Sequence, residues 1–97
     1  MIFFLILVIY YQVHSSVAAL AQAGLSAEKV DETFMGNVIS SSLDASYLSR
    51  HVALKSGVPI CTPALTINRL CGSGFEAVCL GGESIMLVYN SCICILF

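Results

Sequence analysis

The chain is short of charge. Of its 97 residues only four are Lys or Arg and six Asp or Glu, for a net charge of −2. Charged residues make up 10%, against about 25% in an average globular domain. So few basic groups exclude an electrostatic nucleic-acid binder. The hydrophobic share of 58% excludes an intrinsically disordered chain, which lacks the apolar surface to fold. The shortage is also uneven. No charged residue occurs in 1–27 or in 84–97, so all ten lie between Glu28 and Glu83. There is no internal repeat, and the length excludes a large multidomain enzyme.

The two charge-free ends are apolar. Met1 to Tyr11 (MIFFLILVIYY) is unbroken. It is shorter than the roughly 20 residues a spanning helix needs. It fits the h-region of a signal peptide, with Ala19 and Ala21 as small residues for cleavage, but no Lys or Arg precedes it. The alternatives are a buried strand, because Ile, Phe, Val and Tyr favour strands, or an atypical terminus with no role. The first Arg is Arg50, so an Arg-rich transit peptide is not visible. Ile85 to Phe97 is also too short to span a bilayer. Five cysteines, an odd number, suit a reduced compartment. Cys92 and Cys94 have no second Cys or His pair at zinc spacing, so no metal site is expected. Cys61, Cys79, Cys92 and Cys94 read as small buried apolar residues.

Between the ends, local signals place a series of elements. Ser15 or Ser16 can cap a short helix through Val17 and Ala21, with Gly24 as its stop. Ser26 opens another turn with Glu28 near its positive end. Thr33 to Ile39 reads as a strand with a weak spot at Gly36 and Asn37. Asp44 is a suitable N-cap for a helix that places Ala45, Leu48 and Val52 on one face. Gly57 and Pro59 end it. Ala64 to Asn68 reads as a short buried strand. Phe75, Val78, Cys79, Gly82 and Ile85 then recur at helical spacing. Gly81 and Gly82, each unfavourable in a helix, suggest another backbone packed closely against it. The alternation of helices and strands points to an α/β layered fold.

One position has chemical promise. Cys71 lies where a strand gives way to a helix. Unpaired N–H groups and the positive end of the helix dipole favour a thiolate there, the nucleophilic form. Gly72 and Gly74 clear space around the sulfur for an acyl group, and backbone N–H groups can meet a developing oxyanion. By geometry alone a buried structural cysteine remains the alternative.

The string Thr62-Pro63-Ala64-Leu65-Thr66-Ile67-Asn68-Arg69-Leu70-Cys71-Gly72-Ser73-Gly74-Phe75 resembles the active-site segment of the thiolase family, and within it the mitochondrial type of 3-ketoacyl-CoA thiolase. Ala19-Leu20 through Gly24-Leu25, Met35-Gly36-Asn37-Val38 and Asp44 to Val52 carry the likeness upstream, so that it runs from about Val17 to Ile85. The resemblance implies an acyltransferase that cleaves 3-ketoacyl-CoA with CoA, as in fatty acid β-oxidation. It makes Cys71 the nucleophile that holds the acyl thioester, with its backbone N–H in the oxyanion hole. It implies CoA and acyl-CoA as substrates, no metal or prosthetic group, a homo- or heterodimer of thiolase subunits, no membrane partner, and a mitochondrial address. The fold it implies is a partial N-terminal half with a mixed sheet and packed helices, incomplete at both ends. Residues 16–87 form that part, between a non-matching apolar segment at 1–15 and a non-matching tail at 88–97.

Three motifs of the family are not in these 97 residues: the Gly-His-Pro base, the Cys-x-Gly-x-Gly proton carrier and the Asn-Glu-Ala-Phe segment. His14 and His51 have other neighbours, and Cys79-Leu80-Gly81-Gly82 is not the second-cysteine motif. The expectation is therefore a chain inactive by itself. The alternatives are a non-catalytic fragment that pairs with a full-length thiolase, and a small membrane-associated or secreted protein.

Overall fold

Residues 33–35 are buried on both sides of the chain, which demands a strand covered on both faces. In the computed structural model, which describes residues 2–41, 43–87 and 93–96, this is the central strand of a parallel sheet. Helix α1 (Ile2–Ala23) leads into strand β1 (Glu32–Gly36), helix α2 (Leu48–Lys55), strand β2 (Ala64–Ile67), helix α3 (Ser73–Leu87) and strand β3 (Ile93–Leu96). The sheet order is β2-β1-β3. Thr33 pairs with Ala64 on one side and Cys94 on the other, which sets both registers. The α/β class is as expected. The described strands are all parallel, however, so this portion lacks the mixed character anticipated for the sheet.

Alternation along β1 divides the core. Met35 joins Val30, Leu48, Val52, Ala53 and Val58, with Ile9, Val13 and Leu20 of α1 packed against them. Phe34 points the other way, to Ile67 of β2 and Ala77 of α3. Helix α2, with α1 packed against it, thus lies on one face of the sheet and α3 on the other.

The apolar start is a helix, not the strand that its composition allowed. No breaker interrupts the chain before Gly24, so the run continues into the expected 17–21 helix as one element. Ser15 and Ser16, anticipated as caps, lie inside α1 and return their hydroxyls to the Gln12 carbonyl. Gly24 does stop the helix. Its φ is +66°, and the N–H groups of Gly24 and Leu25 close onto the carbonyls of Ala21 and Leu20. Gly57, at φ +89°, ends α2 by the same pattern, through Leu54 and Ala53. Among the described residues no helix is long and apolar enough to cross a membrane.

Strand β1 stops at Gly36 rather than running to Ile39. Asn37 donates through its backbone to Ile67 and through its side chain to the Ala45 carbonyl, which turns the chain away. Asp44 precedes a single 3-10 turn at Ala45–Tyr47, which its carbonyl closes by accepting from the Tyr47 N–H, and its side chain makes no capping hydrogen bond. The cap of α2 comes from another element: the Thr66 hydroxyl of β2 accepts from the Ser49 N–H at 3.1 Å. Ser49 in turn donates to the Thr33 carbonyl, so α2 is bonded to both neighbouring strands. Arg50 ties α2 to the loop ahead of β2 by donating to the carbonyls of Thr62 and Ile60 at 2.7 and 2.6 Å.

Candidate active site

Helix α3 lies close enough to the sheet to set the position of Cys71. Its buried face is Ser73, Ala77 and Gly81, a stripe of small residues. A Cβ built on Gly36 of β1 would stand 3.0 Å from the Ser73 carbonyl carbon and 3.1 Å from its Cβ and oxygen. Only glycine in the strand and small side chains on the helix permit this approach. Close backbone contact thus occurs at Gly36 and the N-terminus of α3, a place the sequence reading did not single out, and not at Gly82. At Gly82 a Cβ would meet no described atom within 4 Å.

The apolar repeat of Phe75, Val78, Cys79 and Ile85 marks the helix correctly but faces outward. Phe75 is 78% exposed. Cys79 and Cys61, anticipated as buried, are exposed, because Cys79 lies on the outer face of α3 and Cys61 in the loop before β2. Cys92 and the side chain of Cys94 lie outside the described residues.

Cys71 occupies the turn between β2 and α3, with its thiol free and exposed. Leu70 just before it has φ +48°. A non-glycine residue in this left-handed region costs about 1–2 kcal/mol, so the surroundings must hold it there. Three side-chain hydrogen bonds do so. Asn68 Oδ1 accepts from the Leu70 N–H at 3.0 Å. Ser73 Oγ accepts from the Arg69 N–H at 2.8 Å and donates to the Leu70 carbonyl at 2.7 Å. The N–H groups of Gly72 and Ser73 close onto the carbonyls of Arg69 and Leu70 at 3.0 Å. The N–H groups of Arg69, Leu70, Gly72 and Ser73 are thus all engaged within the turn. Arg69 and Glu76 form an exposed ion pair at 3.0 Å across the same turn, an interaction worth about 0–1 kcal/mol.

From the sulfur an apolar cavity of about 420 Å³ runs along the outside of α3, lined by Cys71, Gly74, Phe75, Val78 and Cys79. Gly74 leaves this space unobstructed, as the spacing suggested. The two histidines are elsewhere. His14 is on α1 and His51 on α2, the helices across the sheet, so the fold brings neither to Cys71. Among the described residues no three His, Cys, Asp or Glu side chains cluster as metal ligands do. Sequence reasoning singled out Cys71 and its glycines but missed Leu70, Asn68 and Ser73 as the frame of the turn. The one signal available was Gly36, a glycine inside a strand, which marks a close backbone approach.

Three comparisons with known proteins bear on this geometry. The family described as "Thiolase, N-terminal domain" matches residues 11–96. Human mitochondrial 3-ketoacyl-CoA thiolase is 57% identical over 68 residues, which are 70% of this chain and 17% of that protein. An acetyl-CoA acetyltransferase of Cupriavidus necator is 44% identical over 69 residues, 71% of this chain and 17% of its own. The chain therefore spans about a sixth of the length of these curated relatives. The crystal structure of the human mitochondrial 3-ketoacyl-CoA thiolase in complex with CoA superposes with a TM-score of 0.77 at 49% identity, over 81% of this chain and 20% of that one. An Ascaris suum thiolase in complex with coenzyme A gives 0.71 at 28% identity, over 76% and 19%.

Proposed function

Since the chain belongs to the thiolase family, we propose that it is the part of a thiolase that carries the acyl-accepting nucleophile, Cys71. The reaction is thiolytic cleavage of a 3-ketoacyl-CoA. The Cys71 thiolate attacks the 3-keto carbon. The bond between carbons 2 and 3 then breaks, leaving the shortened acyl group as a thioester on the sulfur. Carbon 2 departs with the electron pair and takes up a proton, giving acetyl-CoA. The thiol of a free CoA next attacks the thioester, releasing acyl-CoA and returning the Cys71 thiol. Covalent catalysis of this kind divides one difficult step into two easier ones. The N–H of Cys71 donates to the carbonyl oxygen as it becomes an oxyanion. CoA is a substrate here, and no resident cofactor takes part.

One observation carries the reading: an exposed thiol at the start of α3 opens into an apolar cavity that can receive an acyl group. The mitochondrial thiolases among its relatives support a mitochondrial site of action. Full turnover needs a base and a proton donor outside these 97 residues. General acid–base help alone is worth roughly 10²–10⁴-fold, so thiolysis by the chain alone is expected to be undetectable. Acyl transfer to Cys71 is the part it can perform. Intact mass after exposure to acetyl-CoA, with Cys71→Ala in parallel, tests this. An adduct confined to Cys71 supports the assignment, and labelling spread evenly over the cysteines refutes it.

A second reading has its own observation. Phe75, Met86 and Leu87 on the outer side of α3 are 77–78% exposed, an apolar surface suited to pairing with a full-length thiolase chain. Co-purification with such a chain tests it, and clean separation removes it.

A further inference from the structure

We propose that Asn68 is a positioning residue for acyl transfer, holding the Leu70 turn so that the Cys71 N–H stays aimed at the acyl oxygen. This rests on the assignment of Cys71 as nucleophile. Asn68 is exposed and belongs to neither core cluster. Its amide nevertheless makes two directed bonds. Oδ1 accepts from the Leu70 N–H at 3.0 Å, and Nδ2 donates to the Val38 carbonyl at 3.1 Å. One side chain therefore links the left-handed turn to the segment that leaves β1. The other clamp on this turn, Ser73, is buried against Gly36 and belongs to the packing of α3. Asn68 is the clamp whose removal leaves that packing intact.

The consequence is chemical. Leu70 at φ +48° sits in a conformation that its own side chain disfavours. Without the Asn68 acceptor the Arg69–Leu70 peptide loses its own side-chain anchor and the turn is held by Ser73 alone, so Leu70 relaxes part of the way toward the ordinary region and the Cys71 N–H on the next peptide shifts with it. When the Cys71 sulfur attacks a thioester carbonyl, the bond from that carbon to the CoA sulfur breaks and CoA leaves as the thiol, taking one proton. Negative charge gathers on the carbonyl oxygen in between, and an oriented N–H lowers that barrier. Alkylation by iodoacetamide displaces iodide at a saturated carbon and develops no oxyanion. The two reagents therefore separate orientation of the N–H from simple access to the sulfur.

The test measures S-acetylation by acetyl-CoA and alkylation by iodoacetamide, site by site, in the parent chain, Asn68→Ala and Asn68→Asp. Cys61 and Cys79, both exposed, serve as internal references. Circular dichroism confirms that each variant folds. Asn68→Ala is expected to slow acetylation of Cys71 by about ten- to a hundredfold, with alkylation unchanged within about twofold. Asn68→Asp keeps an acceptor for Leu70 and is expected to recover most of the rate. Equal acetylation of Cys71 in the parent and in Asn68→Ala overturns the inference while leaving Cys71 as nucleophile. A parallel fall in both reactions also overturns it, since that marks lost structure rather than lost orientation. A parent chain in which Cys71 acetylates no faster than Cys61 and Cys79 overturns the nucleophile assignment and the inference together.

Discussion

Adding one methyl group at Gly36 or at Gly82 is the same chemical change, yet the two are expected to move stability in opposite directions. At Gly36 the new Cβ would lie 3.0–3.1 Å from three atoms of Ser73, where carbon–carbon contacts prefer about 3.5–4.0 Å. Two of those atoms are backbone, and the third carries the hydroxyl bonded to Arg69 and Leu70. Nothing there can swing aside, so the N-terminus of α3 must shift by several tenths of an ångström. Such overpacking costs about 1–3 kcal/mol. At Gly82, inside α3, no described atom lies within 4 Å of the added Cβ. Alanine there is expected to stabilise by about 0.5–1 kcal/mol through helix propensity. Urea unfolding of Gly36→Ala and Gly82→Ala against the parent measures both. In melting temperature each kcal/mol corresponds to about 4–8 °C for a domain of this size. Gly36→Ala should also slow acetylation of Cys71, because Ser73 frames its turn, whereas Gly82→Ala should not. A Gly36→Ala chain as stable as the parent would refute the claim that close approach of β1 and α3 positions the site.

Other expectations follow from single interactions. Thr66→Val removes the acceptor that caps α2 and should cost about 1 kcal/mol, read as a lower melting temperature; an unchanged melt would mean that water caps Ser49 equally well. Arg50→Ala frees the carbonyls of Thr62 and Ile60 and should cost about 1–2 kcal/mol, with faster proteolysis between Pro59 and Pro63. Arg50→Lys should recover less than half of that, because one ammonium cannot reproduce the guanidinium fork. Cys71→Ala should abolish the acetyl-CoA adduct while leaving iodoacetamide labelling of Cys61 and Cys79 intact, read by peptide mass.

The sequence alone determined whatever depends on neighbours along the chain. The helix stops at Gly24 and Gly57 were legible because a left-handed C-terminal residue is a local requirement that glycine meets best. The order of helices and strands from residue 25 to the end of α3 followed from local signals, with ends misplaced by a few residues at β1 and α2, whereas β3 was not read as a strand. The candidate site was legible as the string around Cys71, since a strand–cysteine–helix junction with flanking glycines is contiguous. Tertiary structure decided the rest. The apolar run that ends at Tyr11 is rich in strand formers, but packing of the partly buried Ile9 and Val13 against the core and the absence of a breaker make it helical from Ile2 on. Asp44 has the right residue type for a cap, but Thr66, 17 positions beyond Ser49 in sequence, supplies it. The apolar stripe of α3 marked the helix, and the closeness of Gly36 put its small-residue face of Ser73, Ala77 and Gly81 inward. The left-handed Leu70 has no signature in a leucine at all. It exists because Asn68 and Ser73, placed by the strand before it and the helix after it, hold a conformation that leucine avoids.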